Sequence, residues 1–189
     1  YILLYRFFSY IFLLTLYLKI DIISLQLYII MELELEGVKL KVYESGEIYK
    51  LFKKGWLLRT GSIDKNGYVK FRLNGKVFSV HRIIYKSFNP DWDIYDSSRD
   101  NQIDHKNGVR TDNRIVNLRV VNHSQNQQNQ NTKNYTWVER DNAYIVRVRI
   151  DNKSHTKKCK TEKEAIKTSH EFKKKYLPFY ERTLIPDGE

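Results

Sequence analysis

The segment Ile103–Asn126, IDHKNGVRTDNRIVNLRVVNHSQN, decides the reading of this chain. Asp104 and His105 end a short apolar-flanked strand, Asn107-Gly108 opens a loop, and Leu118-Arg119-Val120-Val121 is a second strand. Asn122 is a good helix N-cap and Gln125 follows three residues later, the spacing of a capping box. Asn126 then falls one turn into the helix. The pattern is strand, loop, strand, helix, with polar side chains at each junction.

Working outward, Gly67–Leu73 (GYVKFRL) alternates Val69, Phe71 and Leu73 against Tyr68, Lys70 and Arg72. Asn74-Gly75 supplies a two-residue hairpin turn, which needs positive φ at both positions, and Lys76–Val80 returns. His81–Phe88 reads as a short helix stopped by Asn89-Pro90. Residues 91–101 are polar and loop-like. Upstream, Ser45-Gly46 and Gly55 punctuate a segment whose apolar residues are too scattered to assign. Downstream, Asn122–Asn134 (NHSQNQQNQNTKN) shifts to low complexity, and its second half reads as a linker. Three strands follow, over residues 135–139, 143–150 and 155–160. Glu162–Tyr176 is a helix with Ala165, Ile166, Ser169, Phe172 and Tyr176 on one stripe.

Composition limits the chemistry. With a formal net charge of +11 and a pI near 9.6, a polyanion is the expected partner, nucleic acid before an acidic membrane surface. The single cysteine, Cys159, excludes an internal disulfide and a multi-cysteine zinc clamp. It points to a reducing compartment, so the chain is expected to be intracellular, wherever its polyanionic partner lies, and not secreted. Residues 1–30 are almost wholly apolar but broken by Arg6, Lys19 and Asp21, short of the roughly 20 uninterrupted residues of a spanning helix. Met31, the one methionine, opens a charged sequence, and residues 1–30 are read as translated upstream sequence rather than a membrane anchor.

Hydrolysing a phosphodiester requires a base to activate water and a divalent cation to neutralise charge on phosphate and leaving oxygen. Residues 103–126 offer those parts in order. Asp104 and Asn126 are hard oxygen donors suited to Mg²⁺ or Mn²⁺, not zinc, and Mg²⁺ takes few protein ligands and keeps several waters. Asn117 can hydrogen-bond across the loop and hold His105 in place.

Asp104-His105, Asn117-Leu118 and Asn126 at this spacing resemble the HNH nucleases of phage, viral and intron-borne homing endonucleases. Gly67-Tyr68, Val80-His81-Arg82 and Phe88-Asn89-Pro90 are similar to the segment that precedes the motif in that branch. Residues 31–66 faintly resemble the nuclease-associated modular domain found ahead of it. The resemblance implies a ββα-metal fold, His105 as general base, a catalytic role for Asn117, Asp104 and Asn126 as metal ligands, and double-stranded DNA as substrate with no small-molecule cofactor. His81 and Arg82 are read as structural, tying helix to hairpin, while His123, His155 and His170 are read as surface residues. A DNA-binding protein with a relic site is the alternative.

The C-terminal unit resembles the Apetala-two (ethylene-response-factor) DNA-binding domain through Trp137, the strand 144–150 and Thr161-Glu162-Lys163-Glu164-Ala165. Lys158-Cys159-Lys160 departs from that pattern, where a glycine is usual. Alternation puts Tyr144, Val146, Val148 and Ile150 toward the helix, and Ile145, Arg147 and Arg149 outward. Arg147, Arg149, Trp137 and Arg140 are the expected DNA contacts. The expected class is α+β: residues 31–66 an associated segment, 67–130 the nuclease module, 131–180 the DNA-binding module and 181–189 a tail.

Overall fold

A computed structural model describes residues 29–182; the reading of residues 1–30 as upstream sequence falls outside them for all but Ile29 and Ile30, and Ile30 pairs with Tyr43. The chain mixes sheets and helices. The described residues open with a four-stranded antiparallel meander of β1 (Ile30–Leu35), β2 (Val38–Tyr43), β3 (Ile48–Phe52) and β4 (Gly55–Arg59). A three-stranded sheet follows, of β5 (Ser62–Ile63), β6 (Val69–Leu73) and β7 (Lys76–Ser79), which runs straight into α1 (Val80–Phe88). Asn74 and Gly75 both take positive φ, as the two-residue turn requires.

The first sheet is more ordered than its sequence suggested. Leu33 and Leu35 on β1 and Val38, Leu40 and Val42 on β2 point one way, and they meet Phe71, Leu73, Ile83, Ile84, Ile103 and Leu118 in one core. That core runs through both the 31–66 and the 67–130 segments. Arg82 leaves α1 to bond the carbonyls of Ile94, Asp96 and Asn101 and to lie over the Trp92 ring. The loop after α1 is thereby fixed by a charge-assisted clamp rather than by secondary structure.

β8 (Gln102–His105) pairs antiparallel with β9 (Leu118–Val121), with Asp104 opposite Arg119 and His105 opposite Leu118. A 3-10 turn, Ile115–Asn117, leads into β9. The helix α2 (His123–Gln128) carries the capping box in full, Asn122 accepting from the Gln125 N–H and Gln125 accepting from the Asn122 N–H. Hairpin and helix together build the strand–strand–helix unit read from the sequence.

After residue 134 the strands β10 (Tyr135–Val138), β11 (Ala143–Ile150) and β12 (Lys153–Cys159) form an antiparallel sheet, and α3 (Glu162–Tyr176) packs on it, with its own small core of Val146, Cys159 and Ala165. Val146 and Val148 are buried while Arg147 and Arg149 are exposed, as alternation requires. The helix buries more than its apolar stripe. His170, expected at the surface, is buried, and so is Lys173. Pro178 follows the helix, and the chain turns back so that the Tyr180 hydroxyl bonds His170 Nδ1 (2.9 Å) while Lys173 reaches the Thr132 carbonyl. His155 stacks on Tyr176 with ring centroids 3.6 Å apart. Among the described residues no helix is long and apolar enough to cross a membrane.

Candidate active site

Asp104 and His105 stand side by side at the end of β8, and both are buried. His105 Nε2 lies 3.1 Å from Asn113 Oδ1. An amide oxygen can only accept, so Nε2 carries the proton and Nδ1 keeps its lone pair. Burial lowers the His105 pKa, and the Asn113 bond and the Asp104 carboxylate oppose that shift in part. The imidazole is therefore neutral at pH 7, the state a general base requires. The His81 ring meets His105 edge-on at 5.1 Å and Tyr68 packs beside both. His81 is itself held neutral, its pKa pushed down by burial to about 3, and its Nδ1 has no hydrogen-bond partner among the described residues.

Among the described residues the Asn117 side chain makes no hydrogen bond to His105. It accepts from the Asn107 N–H and donates to Asn107 Oδ1 and the Asp112 carbonyl. Asp112, its pKa lowered to about 2 chiefly by its bond to Arg114, completes the clasp through Asn107. The loop is thus fixed from Asn107 to Arg114, and with it Asn113. Asn117 also accepts the Lys106 N–H at its own carbonyl (2.9 Å), beside His105.

Asp104 is held on two sides. Arg119 donates Nε and Nη2 to Oδ2 at 3.0 and 2.8 Å, and the Asn129 amide reaches Oδ2 at 2.9 Å and Oδ1 at 3.2 Å. Oδ1 therefore keeps most of its acceptor capacity. Asn129, fully buried, also donates toward the carbonyls of His105 and Lys106. It lies in the stretch read as a linker, and that reading is corrected: one buried amide among these acceptors locks helix end to strand end. The compositional run hid it. Arg119 and Asn113 were also passed over, and only their places opposite Asp104 and ahead of Asn117 could have marked them.

Asp104, His105 and Asn126 line a cavity of about 10 Å³, roughly the space of one water or ion, together with Tyr68, Arg110 and Arg182. Asn126 donates to Gln102 Oε1 and its own Oδ1 faces Gln130 Nε2 at 3.2 Å. No cluster of three or more His, Cys, Asp or Glu side chains occurs among the described residues. One carboxylate oxygen and one amide oxygen, each accepting a single bond of 3.2 Å and so keeping a lone pair, fit a hard ion that keeps most of its waters, and they do not fit zinc. Asp104 and Asn126 would hold such an ion, which would supply charge neutralisation at a phosphate.

A larger cleft of about 700 Å³ adjoins the cavity and shares Gly108, Arg110, Gln130 and Arg182 with it. Some distance along the chain, the outer face of the C-terminal sheet carries a groove of about 890 Å³ lined by Arg140, Ile145, Arg147, Arg149 and Lys158 among others. Trp137 is not on that face. It pairs with Tyr144 across β10 and β11 and its ring packs edge-on against Tyr144 on the helix side. Arg147 and Arg149 have no ion-pair partner among the described residues, whereas Arg140 bonds Asp141.

Residues 78–128 match the HNH endonuclease family, and this stretch holds Asp104, His105, Asn113, Asn117 and Asn126. A solved structure of the HNH homing endonuclease I-HmuI, described for its DNA binding and cleavage, is similar to this chain at 24% identity with a TM-score of 0.41, covering 72% of this chain and 82% of that one. No curated protein matches this chain.

Proposed function

We propose that this chain is a metal-dependent endonuclease of the homing HNH type that hydrolyses phosphodiester bonds in double-stranded DNA. One observation carries the reading: a buried, neutral His105, its Nε2 committed to Asn113, beside a carboxylate whose Oδ1 accepts only one long bond, from Asn129, inside the stretch that matches the HNH family. In this reading His105 Nδ1 takes a proton from the attacking water. Asn113 fixes the ring's tautomer, and Asn107, Asp112 and Asn117 fix Asn113. Asp104 and Asn126 hold Mg²⁺ or Mn²⁺. Arg119 keeps the Asp104 carboxylate aimed. The exposed Arg147 and Arg149 grip the duplex, with Arg140 at the edge of their groove. Residues 131–180 would form this second module, and its likeness to the Apetala-two domain is part of the proposal.

The bonds to Arg119 and Asn129 also favour a second reading, in which the Asp104 carboxylate is satisfied without metal and the chain only binds DNA. Strand-resolved cleavage of DNA flanking the chain's own gene, with and without Mg²⁺ or Mn²⁺, separates the two. Cutting that needs the metal and falls by about 10² or more in His105→Ala is expected, since a positioned base contributes that much. Binding without cutting in either metal establishes the second reading. Full activity in His105→Ala removes His105 from the mechanism.

A further inference from the structure

The chain beyond α3 returns to the candidate active site. Phe179 donates its N–H to Gln128 Oε1, and Arg119 reaches both the Phe179 carbonyl and the Glu181 carboxylate while lying over the Phe179 ring. The Glu181 N–H donates to Asn129 Oδ1, and Arg182 Nε to the Asn129 carbonyl. Leu177 is buried and Tyr180 is tied to His170, so this strap is anchored at both ends of its course.

These contacts deliver Arg182 to one place. Its guanidinium lies over Gly108, where a Cβ would collide with it, and Gly108 has a φ of +77° that already disfavours any other residue. Arg182 lines both the small cavity with Asp104 and His105 and the adjoining cleft with Arg110. Nε is used by the Asn129 carbonyl, and among the described residues neither Nη nitrogen has a partner. The cleft wall formed by Arg110, Gln127, Gln130, Thr132 and Arg182 contains no carboxylate. A guanidinium with one edge fixed and one edge free, in a cationic cleft open to solvent, suits an anion that presents two oxygens side by side, as a phosphodiester does.

Resting on the nuclease reading, we propose that Arg182 binds a backbone phosphate of the DNA strand being cut, next to the scissile one, so that the C-terminal strap completes the site. Its Nη edge clamps two phosphate oxygens and sets the distance between the scissile bond and His105. The strap thereby ties the far end of the chain to the cleavage step.

The test uses the full chain in single-turnover cleavage at saturating DNA, with methylphosphonate placed at one phosphate at a time around the cut. Arg182→Gln is expected to slow cutting about tenfold or more, as loss of one positioned donor does, with Arg182→Lys recovering part of the rate. At one phosphate, methylphosphonate should slow the wild type strongly and the Arg182→Gln variant no further. Tyr180→Phe, which loses only the bond to His170, should cut within about threefold of wild type, which separates loosening of the strap from loss of the guanidinium. Cutting by Arg182→Gln at the wild-type rate, or a methylphosphonate effect equal in both proteins at every position, overturns the proposal while the nuclease reading stands. A wild-type chain that cuts no DNA in Mg²⁺ or Mn²⁺ overturns both.

Discussion

The two arginine-bearing regions of this chain use the same side chain in opposite ways. Around Asp104, Arg119 is mostly buried, bonded to two carboxylates and a carbonyl, and stacked on Phe179. On the outer face of the C-terminal sheet, Arg147 and Arg149 are exposed and free of ion-pair partners among the described residues. A buried charge must be matched in place, because an unmatched one costs several kcal/mol, and the matching fixes geometry. An exposed charge left unmatched is available to a long polyanion, at the expense of screening by salt. The first arrangement suits chemistry that tolerates little displacement; the second suits a grip.

The sharpest way to break the contrast is to remove one buried partner. Arg119→Ala leaves the Asp104 carboxylate enclosed with only Asn129, and truncating one side of such a pair typically costs about 3–5 kcal/mol. Chemical denaturation should show a loss of that order, and DNA cutting should fall with it. Asn129→Ala is expected to follow closely, because its amide bridges Asp104 to the His105 and Lys106 carbonyls. A stability change below about 1 kcal/mol in Arg119→Ala, the range of exposed pairs, would mean that the two regions do not differ in kind.

The exposed arginines should behave otherwise. Arg147→Ala and Arg149→Ala are expected to leave the denaturation midpoint within about 0.5 kcal/mol of wild type, as surface changes do. Each should weaken DNA binding across sequences and reduce the slope of log affinity against log salt by about one phosphate's worth. Equilibrium binding at several salt concentrations reads both quantities. A shift in sequence preference at unchanged slope would instead make these residues base readers, and the groove a reading surface rather than a clamp.

The sequence made the strands and helices of residues 67–129 legible because their signals are local. Asn74-Gly75 is a turn by its own chemistry, and Asn122 with Gln125 is a cap by its own spacing. The first sheet escaped notice although β1 and β2 alternate cleanly, because the turn between them places Glu36 at φ +52°, where asparagine or aspartate is usual. The site was legible only where it follows a spacing. Asp104, His105, Asn117 and Asn126 stand in an ordered set, and three of them line one cavity. Asn113, Arg119, Asn129 and Arg182 act through partners up to 62 residues away, as in the Arg119–Glu181 bond. No local pattern can announce a contact of that range. Asn129 was further masked by its neighbours, since seven of residues 125–131 are Asn or Gln and only one of them is fully buried.

The last expected effect concerns the boundary of the buried region rather than its centre. His81 faces Tyr68 and His105, with Lys70, Arg82 and Asp64 near enough to affect its charge, and burial holds its pKa at about 3 in the folded chain. Unfolded, it should titrate near 6.5. Between those values the unfolded chain binds the extra proton, so stability rises with pH and is lost as pH falls from about 6.5 toward 3. His81 alone contributes a slope of at most about 1.4 kcal/mol per pH unit across that window. His81→Gln keeps a polar side chain of similar reach without the titration, so its denaturation free energy should depend less on pH between 6 and 4 than that of the wild type. Parallel curves for the two proteins over that range would show that His81 is protonated in the folded chain at no cost, and that the buried region ends before it.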